Sequence, residues 1–232
     1  MNYLHKVAAI DTIVNHMTET YNTDQPHIAK LIGLARDMKP AVSSLGVMHA
    51  TPNPVDTIAL HTKKVANGAT KLREKVTSYV EKANAVLRDG LNDIQTRVDA
   101  KVNLKADDKF AAEIRAVFRS KPYTEQLEML QTLCKENNGP ALAAIVCAPA
   151  VLTGINKDIQ TQFRDHIVAV NAPMEMAEQA ALMEAIVPVL SVLKVAREVS
   201  ESYSDPAALA KIAAAEASAN AAQEALAESV QA

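Results

Sequence analysis

The chain has 232 residues, of which 49% are hydrophobic but only 3% aromatic, and it contains no Trp. Ala, Val, Leu and Ile must therefore supply the packing, which favours helices in close contact and argues against a sheet rich in Tyr and Phe. The same shortage argues against aromatic platforms that stack nucleic-acid bases, and the net charge of −3 is close to neutral.

The first segment, residues 1–53, is predicted to form two helices and a linker. Apolar residues recur at helical spacing over residues 2–21, where polar residues such as Lys6 and Asp11 interrupt the apolar core that a signal peptide needs. We expect a second helix to about Met38, with Asp24 as its N-cap and Pro26 in its first turn.

A linker is predicted between these helices and the next segment. The stretch KPAVSSLGVMHATPNP, from Lys39 to Pro54, holds three Pro, one Gly and two Ser. Pro and Gly at this density are typical of a connection that breaks helical structure.

A single long helix is predicted for the second segment, residues 54–105. It should open at Asp56 and reach about Asn103, near 50 residues and roughly 70 Å at 1.5 Å per residue. Steps of four, three and four residues define an apolar seam with a period close to 3.67 residues per turn, and the first half also fits a heptad. The seam consists of Val65, Ala69, Leu72, Val76, Val80, Ala83, Leu87, Leu91, Ile94, Val98 and Val102.

A helix of this length cannot bury its seam against itself, so it requires long partner helices from this chain or from another. We interpret the seam as a self-association surface, while partners within the chain remain an alternative. The stretch is then a packing element, and no residue type in it indicates catalysis.

The third segment, residues 106–203, is predicted to be a compact helical domain. Asn138-Gly139 should close one of its helices, and PALAAIVCAPAVLTG, ending at Gly154, is the best candidate for a fully buried helix. Pro188 is expected to kink the last helix of the segment.

The fourth segment, residues 204–232, is predicted to be an Ala-rich acidic helix. Ser204 to Pro206 is a strong helix-start signal, and 13 of the last 27 residues are Ala. Its larger apolar side chains are few, namely Leu209, Ile212, Leu226 and Val230. No period-two strand pattern occurs anywhere in the chain, so the predicted fold class is all-α, an elongated helical bundle.

Charge is distributed unevenly between the segments. The net charges of residues 1–53, 54–105, 106–170 and 171–232 are 0, +4, −1 and −6. Nucleic-acid binding by the basic long helix is one interpretation. Complementary charge between helices of the same or neighbouring subunits is the favoured one, because acids are interleaved through the basic segment.

The sequence contains no pattern typical of a catalytic, metal or cofactor site. None of the six His pairs with another at helical spacing, and no phosphate-binding or nucleophile motif is present. Cys134 and Cys147 match no metal or redox spacing and are expected to be small buried apolar residues. Asp107-Asp108 is expected to cap a helix and not to bind a cation. We predict no enzyme activity, no cofactor and no transmembrane segment.

One segment carries a resemblance. The stretch NNGPALAAIVCAPAVLTGINKDIQTQFRDHIVAVNAP, residues 137–173, resembles a segment of uncharacterised helical proteins of tailed bacteriophages. The shared elements are the Gly-Pro start, the small apolar helix and LTG followed by a polar helix with an Arg. The resemblance implies a virion structural or assembly protein and supplies no site residues.

The predicted function is therefore a non-enzymatic structural or assembly component of a phage virion, as a head–tail, tail or internal protein. It would form a homo-oligomer and contact other virion proteins, in the particle or the host cytoplasm. The acidic tail would dock on a neighbour. The alternatives are a capsid scaffold, a soluble regulatory protein-binding module, and nucleic-acid binding through the long helix.

Overall fold

The structure is a computed structural model that describes residues 3–107 and 109–231, with the backbone alone at Glu228, Val230 and Gln231. The described residues form α-helices and no strands, so the predicted all-α class is confirmed. The helices are α1 Tyr3–Thr20, α2 Pro26–Arg36, α3 Met38–Ala50, α4 Ile58–Val102, α5 Ala111–Ser120, α6 Tyr123–Lys135, α7 Gly139–Val146, α8 Ala150–Thr153, α9 Lys157–Asn171, α10 Pro173–Ser202 and α11 Pro206–Gln231.

The chain divides into two compact units, and the division differs from the four predicted segments 1–53, 54–105, 106–203 and 204–232. Unit 1 comprises Met1–Arg88 with Met183–Ala232, and unit 2 comprises Asp89–Leu182. The boundaries fall inside α4 and α10, because each of these long helices contributes residues to both units. A unit boundary inside a continuous helix is marked by no change in composition, so it could not be predicted from the sequence segments.

In unit 1, α1, α2 and α3 pack on one another through fully buried apolar side chains. Ile10 and Met17 of α1, Leu31 of α2 and Met38 at the start of α3 lie in this core. Ile10 and Met17 are seven residues apart, which places them on one face of α1. All four of these core side chains are aliphatic or Met, as the low aromatic content of the chain predicts.

The predicted linker from Lys39 to Pro54 is wrong for most of its length, because α3 occupies Met38–Ala50. Pro40 lies in the first turn, where the missing N–H has no intrahelical partner to lose. Val42 and Leu45 are buried in the core. The connection to α4 is therefore the short stretch 51–57.

Two of the predicted helix starts differ in detail from the structure. Gln25 precedes α2 without a side-chain cap, although Pro26 is in the first turn as predicted. The long helix starts at Ile58, where the Thr57 hydroxyl accepts from the Leu60 N–H at 3.2 Å. Asp56 instead accepts two bonds from Lys64, at 2.7 and 2.9 Å.

The C-terminal helix starts as predicted. Asp205 directly precedes Pro206, and its carboxylate accepts a hydrogen bond from the Ala208 N–H in the first turn at 2.9 Å. A carboxylate at this position satisfies one of the free N–H groups of the first turn and opposes the positive end of the helix dipole. The side chain of Val230 lies outside the described residues.

In unit 2, α5 to α9 surround a core of fully buried side chains that includes Phe118, Leu130, Leu142, Ile145 and Ile167. The polar side chain of Gln160 enters this core from α9. Its Nε2 donates to the Ile145 carbonyl at 2.9 Å, the Ala148 carbonyl at 3.0 Å and the Thr153 hydroxyl at 3.1 Å. These bonds satisfy buried acceptors where the backbone leaves α7.

The apolar stretch ending at Gly154 forms two helices, and only the first is buried. Leu142 to Val146 are buried in α7, but Val151 in α8 is 84% exposed, so the prediction of one fully buried helix is wrong. Asn138 does not close the preceding helix, because its side chain caps α7 by accepting from the Ala141 N–H at 3.2 Å. Gly154 has φ 77° and ends α8 in the left-handed conformation.

Gly139 allows a close approach at the start of α7. A Cβ at this position would lie 2.7 Å from the Asn103 carbonyl oxygen and 3.0 Å from the Val102 carbonyl oxygen. Both oxygens belong to backbone at the end of α4, so the packing of α7 against this end depends on glycine.

Candidate self-association surface

Most of the predicted seam on α4 is buried by the chain's own helices. Val80, Leu87 and Leu91 are half-buried, whereas eight seam residues are buried: Val65, Ala69, Leu72, Val76, Ala83, Ile94, Val98 and Val102. The pattern therefore identified an apolar face correctly. The burial of these eight side chains shows that most of the seam packs against the chain's own helices.

In unit 2, α10 pairs with the seam helix α4 in antiparallel order, and in unit 1 both α3 and α10 lie against α4. In unit 2, Arg97 contacts Glu178 at 2.8 Å and Lys101 contacts Glu175 at 2.8 Å. The Lys101 hydrogen bond, the Glu175 backbone bond and the charges of Lys101 and Arg97 hold the pKa of Glu175 below its ordinary value, against desolvation. In unit 1, residues 73–81 of α4 and 190–197 of α10 line one cavity.

That cavity, which we call the α4/α10 groove, has a volume of about 550 Å³. Its apolar walls are Val76 and Val80 on α4 and Leu190 and Leu193 on α10. Leu193 is buried, whereas Leu190 is 39% exposed at the mouth of the groove. A concave apolar surface open to solvent is the form that a docking site for an apolar side chain or helix takes.

The rim of the α4/α10 groove is basic. Arg73 on α4 and Lys194 and Arg197 on α10 line it, with Glu81 as the one acidic lining residue. Arg197 donates to Glu201 at 2.9 Å. The Glu198 carboxylate accepts a hydrogen bond from the Lys6 ammonium at 2.6 Å. This bond, together with the positive charges of Lys6 and Lys194, lowers the pKa of Glu198. The rim therefore favours a partner that carries negative charge.

An exposed apolar stripe continues from the groove along α10. Met183, Val187 and Leu190 are 54%, 61% and 39% exposed and lie at positions i, i+4 and i+7 of the helix. Lys194 and Arg197 extend the same spacing by four and three residues. Three large apolar side chains in a row on one helix face are typical of a surface that contacts another helix.

The C-terminal helix α11 is the second exposed element of unit 1. Ala208, Leu209 and Ile212 at its base are half-buried, and every side chain from Ala213 to Ala227 is exposed. Glu216 forms an ion pair with Lys63 of α4. Leu226 is the one large apolar side chain in this exposed range, at 64% exposure. An Ala-rich helix of this length gains little from packing here, and most helices in proteins depend on packing.

Several cations of the basic segment 54–105 have acidic partners in the chain. Lys63, Lys64, Arg97 and Lys101 pair with Glu216, Asp56, Glu178 and Glu175. Complementary charge between helices of one chain is thus observed. A cation paired in this way is less available to a phosphate backbone, whose affinity depends on unpaired Lys and Arg.

A second, polar cavity of about 340 Å³ lies between α3, the 51–57 connection and α4. Asp56, His61, Lys64 and Lys71 are among its lining residues. Asp56, whose side chain is 6% exposed, neutralises Lys64. The cavity contains no nucleophile held by a base, so its geometry indicates no reaction.

The candidate chemical residues are dispersed. Among the described residues, no three His, Cys, Asp or Glu side chains lie close enough to hold a metal ion. His49 stacks on Tyr203 with ring centroids 4.5 Å apart, and burial raises the pKa of Tyr203. Asp107 accepts from the Lys109 N–H at 3.0 Å, two residues away, whereas Asp108 lies outside the described residues.

Both cysteines are free thiols. Cys134 is half-buried, and burial raises the pKa of its thiol. Cys147 is exposed, so the expectation that both are buried apolar residues is wrong for Cys147. It follows α7 at the point where the chain turns outward to Pro149.

One stretch of the described chain passes a length and composition test for a membrane span. It is Pro173–Ala227, which contains an 18-residue window of mean hydropathy 1.6, and 39% of that window is buried. A buried core helix passes the same test, and α10 carries core residues such as Val189, Val192 and Ala196. The expectation of no transmembrane segment stays a prediction.

No protein-family model, curated protein or solved structure matches this chain. Function is therefore inferred from the surfaces described above. The exposed stripe on α10 was not predicted from the sequence, although its signal was present: Met183, Val187 and Leu190 repeat at helical spacing before two cations. The stripe was missed because the longer apolar seam on α4 was the predicted association surface.

Proposed function

We propose that this chain acts by helix-mediated self-association, as a non-enzymatic structural component of a larger assembly. The observation that supports the proposal is the α4/α10 groove of unit 1, an open apolar surface with a basic rim that continues into the exposed stripe of Met183, Val187 and Leu190. Exposed apolar surface of this kind is costly in water unless a partner covers it.

The test is the mass of the purified chain by light scattering over a range of protein concentration. Self-association predicts a mass that rises from the 24.9 kDa of one chain to a discrete multiple. Leu190→Asp should shift this rise to higher concentration, because it places a charge on the apolar mouth of the groove. Ser191→Asp, on the exposed neighbouring position, is the matched control and should leave the mass unchanged.

A chain that stays at the mass of a monomer at every concentration contradicts the proposal. The alternative function, a regulatory module that binds a different protein, would then become the better explanation. Leu190→Asp and Ser191→Asp with the same mass profile would place the association surface elsewhere on the chain.

The resemblance of residues 137–173 to helical proteins of tailed phages supports a more specific proposal, that the assembly is a virion. A structural component would be found by mass spectrometry in purified mature particles, in stoichiometric amount. A capsid scaffold would be present in immature shells and absent from mature particles. Absence from both would leave the self-association proposal intact and remove its virion context.

Nucleic-acid binding through α4 is a separate proposal that the ion pairs of the basic segment weaken. Binding to a DNA duplex at low salt, with a steep loss of affinity as salt rises, would support it. No binding at low salt would exclude it.

A further inference from the structure

We propose that the α4/α10 groove is occupied by the C-terminal helix α11 of a second copy, and that two copies exchange these helices reciprocally. The inference rests on the proposed self-association and adds the identity of the two contacting surfaces. It depends on three features of unit 1: the open groove, the exposed helix, and their opposite charges.

The charges of the two surfaces are complementary. The groove is lined by Arg73, Lys194, Arg197 and Glu81, and because Arg197 is paired with Glu201, the remaining lining charges sum to +1. The helix α11 carries Lys211 against Glu216, Glu224 and Glu228, and because Glu216 is paired with Lys63 of its own chain, the remaining charges sum to −1. Opposite charges raise the rate of encounter and disfavour the pairing of two like grooves or two like helices.

The shapes are also compatible. Ala215, Ala219, Ala222 and Leu226 follow a four, three and four spacing, so they share one face of α11. Small side chains let this face approach the groove closely, and Leu226 is the side chain large enough to fill its apolar interior. Glu216 lies at the edge of the face, and Glu224 lies on the opposite face, so its charge acts at long range, not in a direct pair.

The area favours exchange of both helices. The groove and the exposed stripe extend from Met183 to Arg197, about 21 Å of helix at 1.5 Å per residue, and a helix is about 10–12 Å wide. One docked helix would bury roughly 450 Å² over both surfaces, which is less than a specific contact needs. Two would bury about 900 Å², which is within the range of weak, concentration-dependent contacts.

Disulfide trapping between two differently labelled chains tests this arrangement. Both chains carry Cys134→Ser and Cys147→Ser, because Cys147 is exposed and would react. One chain then carries Leu190→Cys in the groove and the other Leu226→Cys on α11. After mixing and mild oxidation, we expect a cross-linked pair of one chain of each kind, and no cross-linked pair when either variant is oxidised alone.

Two results would overturn the inference. A cross-linked pair formed by the Leu190→Cys chain alone would mean that the α10 stripes of two copies face each other. A chain that carries both cysteines and closes only an internal disulfide, at any concentration, would mean that α11 lies on its own groove.

Light scattering on the same chains separates failure of the inference from failure of the proposed function. Self-association without the mixed cross-link would refute helix exchange and leave self-association standing, whereas a monomer at every concentration would refute both. Lys194→Glu gives an independent readout, since loss of a rim cation should weaken association by about tenfold. An unchanged association constant for Lys194→Glu would count against the charge argument and the docking site.

Discussion

The burial of the α4 seam gives a prediction that distinguishes packing within the chain from packing between copies. Ile94 is 1% exposed and is among the largest fully buried side chains. Ile94→Ala removes three carbons, worth about 2.4 kcal/mol at about 0.8 kcal/mol per buried carbon. The cavity left behind adds to this, so we expect a loss of about 3 kcal/mol, within the ~2–5 kcal/mol typical of such changes.

The assay is urea unfolding followed by circular dichroism, repeated over a hundredfold range of protein concentration. With a slope of about 2 kcal/mol per molar urea, the midpoint should fall by about 1.5 M, equally at each concentration. Asn92→Ala changes an exposed position on the same helix and should leave the midpoint almost unchanged. A loss that disappears at high protein concentration would refute the reasoning, because it would mean that a second copy covers the seam.

Three further predictions concern unit 2. Gln160→Leu leaves the Ile145 and Ala148 carbonyls without their donor and should cost about 2–4 kcal/mol in urea unfolding, whereas Gln162→Leu, at an exposed position, should cost little. Gly139→Ala should lower the melting temperature because its Cβ would meet backbone oxygens, whereas Gly33→Ala, with nothing within 4 Å, should raise it slightly. The pKa of Glu175 is lowered from 4.5 in the folded chain, so the ionised carboxylate stabilises the fold above pH 4.5 and this contribution is lost as the pH falls through the lower folded pKa. When urea unfolding is measured from pH 6 to 3, the free energy of unfolding should therefore fall less in Glu175→Gln than in the wild type.

Helix type and apolar faces could be predicted from the sequence, because both follow from local spacing. The long helix was expected from Asp56 to about Asn103 and occupies Ile58–Val102. The error at its start is a matter of which side chain caps it, Thr57 or Asp56. Both residue types cap helices well, and the choice depends on a tertiary contact, the Asp56–Lys64 ion pair.

The linker prediction shows where composition misleads. In the sequence, Pro40 indicates a helix break, but it lies in the first turn of α3, where it costs no hydrogen bond. Gly46 also reads as a breaker, although it provides room for Tyr3, because a Cβ at this position would lie 2.2 Å from the Tyr3 ring. Both residues are explained by position in the helix and by contacts that the sequence does not contain.

The candidate site could be predicted only in part. An acidic C-terminal helix that docks on a neighbour was expected from charge, and the exposure of α11 is compatible with that expectation. The self-association surface was predicted on the α4 seam, yet the pairing of α4 with other helices of the chain leaves eight of the eleven seam residues buried. Which apolar face stays exposed depends on this pairing, and spacing within one helix cannot reveal it.

Salt should affect folding and association differently, and this follows from where the charges lie. The Glu175 carboxylate is paired with Lys101 and its side chain is 6% exposed, so mobile ions screen it poorly. The cations at the rim of the α4/α10 groove face solvent, and at physiological ionic strength charges more than about 8 Å apart are largely screened. Raising salt from low to physiological strength should therefore reduce the association constant, measured by light scattering, while the urea midpoint at low protein concentration changes little. An association constant that rises with salt would indicate that apolar contact alone, without the basic rim, selects the partner.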